Sequence, residues 1–209
     1  MMKPIFNFND KTEYHFNEMH KIQNKEFRMY WGSYLFDGKK YEYDKSMIEK
    51  QSNIYKLAGD ASSVLEIGTY LGHSLLIMLT AKRDLKITSI DISSKYAQKA
   101  CKYLSNQFPS SSIKFLKGNS LQILNSIKNK FDLFHIDGDH NIDVVTKEFN
   151  LCKKLRKNNF TIIFDDFDCC IDLINDILST YKIIDYKIAS CDLNRNIFIK
   201  IQFQNNKLK

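Results

Sequence analysis

Val64-Leu65-Glu66-Ile67-Gly68-Thr69-Tyr70-Leu71-Gly72-His73-Ser74 is the stretch on which the fold turns. A short apolar run, 62–67, ends at a glycine, and a helix-like run, 74–80 (SLLIMLT), starts soon after it. Gly68 allows a tight turn and a close approach of backbone to a ligand, and Gly72 allows close packing where the helix begins. The N-terminal amides of such a helix favour negative charge. The glycine spacing is GxxxG, not GxGxxG, so the dinucleotide pyrophosphate cradle lacks its middle glycine. That argues against NAD. Glu66 would sit awkwardly beside a pyrophosphate but suits a cationic amine. A glycine turn with no ligand reads the same stretch equally well.

Downstream, strands and helices alternate. Strands are expected at 86–92, 113–116, 131–137 and 160–165, with helices at 94–108, 121–127, 142–155 and 170–179. Helix 94–108 carries Tyr96, Ala97, Ala100, Tyr103 and Leu104 at helical spacing and stops at Pro109. Two last strands, 181–189 and 196–203, have no helix between them and suit a hairpin. Repeated βα units mean a doubly wound α/β fold, a mostly parallel sheet with helices on both faces. In such sheets ligands sit at the carboxyl ends of strands.

Upstream, aromatic residues crowd, 11 of the 27 falling in the first 43 residues. Trp31-Gly32-Ser33 and Asp37-Gly38 read as turns. Segment 44–58 reads as a helix, with Met47, Ile48, Ile54, Tyr55 and Leu57 as its apolar positions. This divides the chain into an N-terminal cap, 1–58, and a main domain, 59–209.

Length and composition bound the rest. The chain has 209 residues, 44% apolar, with 7 Gly and 2 Pro, which excludes a disordered or collagen-like chain. The net charge of +7 comes from 27 Lys and only 4 Arg. Nucleic-acid recognition favours Arg, whose planar fork reads phosphate and guanine, so the lysines read as background and nucleic acid as the lesser reading. Five Cys without CxxC spacing suit neither a disulfide framework nor a zinc site. The start MMKPIFNFND lacks an apolar signal core, and no run approaches the roughly 20 residues that span a bilayer. A reduced cytoplasmic setting is the default expectation.

The remaining strand ends supply the chemistry. Asp91, 23 residues beyond Gly68, is placed to accept both hydroxyls of a ribose, and Ile92 to pack on an adenine face. Gly118-Asn119-Ser120 follows the third strand, where Asn119 or Ser120 serves either an adenine edge or a helix N-cap. The fourth strand ends Asp137-Gly138-Asp139-His140 and the fifth Asp165-Asp166-Phe167-Asp168. Carboxylates gathered at one edge repel unless a cation joins them, and hard oxygen donors suit Mg²⁺ or another divalent ion.

Taken together these residues resemble class I S-adenosylmethionine-dependent methyltransferases. The likeness is to the small metal-dependent O-methyltransferases of the catechol and caffeoyl-CoA type and related sugar and macrolide families. It runs over about 44–203 and rests most on VLEIGTYLGHS. It implies a Rossmann-like sheet of seven strands, one antiparallel, and S-adenosylmethionine as cofactor. It implies that Glu66, Gly68, Tyr70, Gly72 and Ser74 hold the methionine end. Asp91 would hold the ribose, and Ile92, Asn119 and Ser120 the adenine. Asp137, Asp165 and Asp166 fall at the metal positions, Asp137 also bordering cofactor and reaction. The chain departs from the pattern at Asp166, where the family has Asn, and at His140, where catechol-type enzymes have a lysine base.

The implied reaction is methyl transfer to a hydroxyl of a small molecule, with the metal lowering the acceptor's pKa and His140 taking the proton. His140 serves equally well as a hydrogen-bonding group for cofactor or loop. Trp31, Tyr34 and Tyr41 are candidates to line the acceptor pocket, and core packing or a homodimer surface is the plainer reading. Two other functions compete: methylation of RNA or protein, and a non-catalytic cofactor-binding domain. The fourth strand ends in DGD rather than (D/N)PP(Y/F), which counts against amino-group methylation.

Overall fold

The computed structural model describes residues 10–23, 34–36, 41–43, 47–191 and 194–202. Seven strands form one sheet: β3 (Ser63–Ile67), β4 (Lys86–Asp91), β5 (Ser112–Lys117), β6 (Phe131–Ile136), β7 (Arg156–Asp165), β8 (Lys182–Cys191) and β9 (Asn194–Gln202). Their order is β5-β4-β3-β6-β7-β9-β8. All pairings from β5 to β7 are parallel, and β9 runs antiparallel to both its neighbours. The seven-stranded, doubly wound sheet expected from the sequence is therefore present. The strand order reverses at β3, flanked by β4 on one side and β6 on the other. A reversal of this kind opens a crevice at the carboxyl ends, where such folds bind ligands.

Helices cover both faces. Helices α2 (Ile48–Asp60), α3 (His73–Ala81) and α4 (Ala97–Gln107) lie on one face, and α5 (Ser120–Ser126), α6 (Ile142–Lys154) and α7 (Ile171–Thr180) on the other. Strand alternation splits the core accordingly. Val64, Ile87, Leu133, Ile163 and Phe198 face α2–α4, while Leu65, Ile67, Phe134, Ile162 and Ile199 face α5–α7. With both faces covered, β3 is buried at all five positions, as a central parallel strand must be. Leu75 to Leu79 of α3 are all fully buried, because α2 packs over the side of α3 away from the sheet.

The N-terminal helix α1 (Asp10–Ile22) has no counterpart in the sequence reading. Its inward stripe is Thr12, His15, Phe16, Met19, His20 and Gln23, all buried. The spacing is helical, but four of the six are polar, so no apolar periodicity marks it. Phe16 and Met19 join the same core cluster as Ile54, Leu57 and Ala58 of α2 and the helices α3 and α4. The boundary drawn at 58/59 thus runs through a shared core. Tyr34 and Tyr41 lie in a two-stranded antiparallel ribbon, β1 (Tyr34–Phe36) with β2 (Tyr41–Tyr43), and Trp31 lies outside the described residues. No helix among the described residues is long and apolar enough to cross a membrane.

Candidate functional site

A cavity of about 880 Å³ opens at the strand reversal. Its floor is the turn after β3. Gly68 has φ +88°, and its N–H donates to the Ile90 carbonyl at 2.9 Å. A Cβ there would lie 1.9 Å from the Asp137 carbonyl oxygen. The backbone that approaches Gly68 is thus the chain's own turn after β6. Gly72 (φ +77°) starts α3, and a Cβ on it would meet the Ala100 Cβ of α4 at 2.7 Å. Between them Tyr70 takes a left-handed φ of 42°, its N–H donating to Asp91 Oδ2 at 2.7 Å and its ring standing edge-on to Tyr96.

Glu66 is fully buried below this floor and does not line the cavity. It accepts from the Ser74 hydroxyl at 2.5 Å and lies 3.3 Å from His135 Nδ1 and 3.4 Å from Ser89 Oγ. Ser89 and His135 are its cross-strand partners on β4 and β6, so one row of the sheet carries the three. Ser74 and His135 form the surface above the carboxylate. His135 Nε2 is buried without a hydrogen-bond partner among the described residues.

At the β4 and β5 side, Asp91 accepts from Tyr70 and Ser93 backbone N–H groups, one on each oxygen, which fixes its orientation toward the cavity. Ile92 lines the same wall and is 70% exposed, a large apolar surface open to a ligand. Asn119 caps α5, accepting from the Gln122 N–H at 3.3 Å, so the helix-cap reading holds for it. Ser120 donates at 2.5 Å to Glu148 of α6, whose other oxygen is buried without a partner among the described residues. Burial pushes the Glu148 carboxyl above the usual carboxylate range.

At the β6 and β7 side the acidic residues converge. One ligand-type atom each from His135, Asp137 and Asp165 lies within 4.8 Å of the others, and the same holds for Asp137, His140 and Asp166. Burial and the neighbouring Asp165 push the Asp137 carboxyl well above its ordinary value. Burial and Asp165 also raise Asp166, which occupies a left-handed φ of 46°. His140 Nε2 stands 3.5 Å from Asp166 Oδ2, the histidine side chain being 57% exposed. Asp139 is exposed and accepts from the Asn141 N–H, so it shapes the turn.

A residue missing from the sequence reading enters here. Lys50 of α2 places its ammonium 2.5 Å from Asp165 Oδ2, its side chain 11% exposed. Burial works against that charge, but Asp165 and Asp137 more than offset it and hold Lys50 above the usual lysine range. The donors suit a hard cation, and Asp165 Oδ1 is buried without a hydrogen-bond partner among the described residues. One cation is already seated, however. A divalent ion sharing Asp165 Oδ2 would come within about 5 Å of the ammonium, a repulsion of roughly 6 kcal/mol at an effective dielectric of 20. While Lys50 keeps this place, the cluster does not fit a divalent ion.

Lys50, His135 and Glu148 each had a signal in the sequence. Lys50 lies on the helical stripe Met47, Ile54, Leu57, Ala58, and Glu148 on the stripe Val145, Phe149, Cys152. A charged residue within an apolar stripe needs a buried partner. His135 shares the inward face of β6 with Leu133.

Residues 65–167 match a family model described as a methyltransferase domain. Among curated sequences, the chain is 27% identical over 138 residues to the uncharacterized protein R132 of Acanthamoeba polyphaga mimivirus, covering 62% of each. It is 30% identical over 114 residues to the O-methyltransferase hkm8 of Aspergillus hancockii, covering 54% of this chain and 45% of that protein. The chain thus spans less than two thirds of either relative. In fold it is similar to the O-methyltransferase from Bacillus cereus solved in complex with SAH, with a TM-score of 0.68 at 16% identity, covering 96% of this chain and 94% of that one. The strand order, the glycine turn and the family match agree: residues 65–167 are similar to a methyltransferase domain, on a fold shared with the O-methyltransferase from Bacillus cereus.

Proposed function

We propose that this chain transfers the methyl group of S-adenosylmethionine to a hydroxyl of a small molecule. The observation that carries the reading is one cavity with two unlike ends, Asp91 and Ile92 at one and the Asp137–Asp165–Asp166–His140 group at the other. Its volume suits a cofactor with a small acceptor. Asp91, already oriented by two backbone N–H groups, keeps lone pairs for the ribose hydroxyls. Ile92 offers the adenine an apolar face. The cofactor's ammonium meets Ser74, with the Glu66 carboxylate behind it, and lies over the glycine turn made by Gly68, Tyr70 and Gly72.

The acceptor hydroxyl then lies among the acidic residues. His140 takes its proton, and Asp166 beside it steadies the imidazolium. The oxygen attacks the methyl carbon in line. The C–O bond forms, the C–S bond breaks with its electron pair going to sulfur, and the neutral thioether leaves. The protein's contribution is alignment and approach distance. No divalent ion enters this step, since Lys50 already neutralises Asp165.

The test begins with titration calorimetry of S-adenosylmethionine. Replacing Asp91 with Ala is expected to weaken binding about 10- to 100-fold, the worth of charge-assisted hydrogen bonds. Labelled methyl transfer is then read on catechols and sugars against bulk RNA. Labelling of RNA alone overturns the small-molecule acceptor, and failure of the wild type to bind the cofactor overturns the whole reading.

A further inference from the structure

We infer that Lys50 is the resident cation of the acidic cluster, taking the place that a divalent ion would otherwise hold against Asp137, Asp165 and Asp166. The inference rests on the proposed reading only for its consequence in methyl transfer. The placement itself rests on geometry.

Lys50 precedes Ile54 by one helical turn and Leu57 and Ala58 by two, and these three are buried in the core between α2 and α3. The helix therefore aims this side chain inward and has little freedom to turn it out. A buried ammonium without a counter-charge is not tolerated. Asp165 supplies that counter-charge at 2.5 Å, and Lys50 lines the same cavity as Asp137, Asp166 and His140. Asp165 is itself held in register by β9, opposite Asn196. Neither partner of the pair is on a loop that could swing away. The carboxylates thus meet a positive charge that is covalently part of the chain. An acceptor oxygen entering beside them meets an ammonium able to donate a hydrogen bond as its proton leaves.

The experiment titrates Mn²⁺ into the purified full chain and follows loss of the free-ion electron paramagnetic resonance signal. Wild type is compared with Lys50→Met, which keeps the stem and removes the charge, and with Lys50→Arg, which keeps the charge. Wild type and Lys50→Arg are expected to bind Mn²⁺ weakly, and Lys50→Met at least about tenfold more tightly at one ion per chain. Any transfer found on the acceptor panel is expected to persist in EDTA. Tight one-to-one Mn²⁺ binding by the wild type overturns the inference, as does a folded Lys50→Met variant with no gain. If Lys50→Met does not fold, Lys50→Gln and the wild-type arm decide in the same way. Cofactor calorimetry separates the two ideas, because loss of S-adenosylmethionine binding would sink the proposed function while leaving the Mn²⁺ comparison standing.

Discussion

Gly68→Ala tests whether the turn after β3 and the turn after β6 are locked together by a missing side chain. A Cβ at Gly68 would lie 1.9 Å from the Asp137 carbonyl oxygen, 2.4 Å from its carbonyl carbon and 2.8 Å from the Gly138 nitrogen. All three are backbone atoms, so no rotamer change relieves the clash. They are also tied down: the Asp137 N–H donates to the Ile67 carbonyl at 2.8 Å, and Gly68 bonds to Ile90. Relief requires the two turns to separate by more than about 1 Å, which costs roughly 1–3 kcal/mol as overpacking. The left-handed φ adds about 1–2 kcal/mol for any residue with a Cβ. The expected destabilisation is therefore about 2–5 kcal/mol, a large share of a typical domain's stability. Gly59→Ala is the control. Gly59 lies within α2 and a Cβ there meets nothing within 4 Å, so alanine should stabilise by roughly 0.5–1 kcal/mol. Urea unfolding followed by circular dichroism reads both. If Gly68→Ala unfolds at the wild-type midpoint while Gly59→Ala raises it, the lock does not exist.

Two predictions concern pH. Burial, with His20 nearby, pushes His73 down to about 3, whereas an unfolded histidine titrates near 6.5. The unfolded chain binds the proton first, so this stability is intact above pH 6.5 and is lost as pH falls toward 3. Urea midpoints should show about 2 kcal/mol lost between pH 7.5 and 5 from this group, and His73→Leu should flatten that slope. At the opposite end of β3, Asp132 accepts from the Ser62 and Ser63 N–H groups and pairs with Lys157 at 2.9 Å. Burial opposes its charge, but the bonds from Ser62 and Lys157 prevail and hold its carboxyl below the ordinary value. Its contribution is therefore present above about pH 4 and fades as pH drops through the lowered value. Asp132→Asn should cost about 1–2 kcal/mol at pH 7, and that cost should shrink as pH falls below about 4, read by the same unfolding series.

The strands and helices after residue 60 were legible because their signal is a period or a break. The short, largely apolar run FDLFHID marked β6, the stripe of Val145, Phe149 and Cys152 exposed α6, and Pro109 closed α4. The acidic strand ends were legible for the same reason, since strand ends in a parallel sheet fall on one edge. What escaped was set by partners rather than by pattern. α1 buries histidines, a threonine and a glutamine, so its stripe is invisible to hydropathy. β7 starts at Arg156, four residues before its apolar run, because pairing to Phe131 across a register shift extends it. Glu66 looked like a ligand-facing carboxylate, and the register with Ser89 and His135 places it one layer deeper.

The same contrast explains why Lys50 was absent from the charge balance read at the site. Spacing along the chain finds Asp137, Asp165 and Asp166 but says nothing of what neutralises them, since any partner comes from another element. Lys50 lies 115 positions before Asp165, on a helix read as a cap. It was one lysine among 27 until its place in the stripe was set beside its burial. Glu148 is the milder case, a carboxyl within a helical stripe that meets only the Ser120 hydroxyl of α5 and that burial pushes toward its neutral form. An apolar helical stripe interrupted by one charged residue is thus a pointer across the fold: the core tolerates the charge only where another element meets it. In a sheet with acidic strand ends, a lysine in such a stripe is the first place to look for the compensating charge, ahead of an added ion.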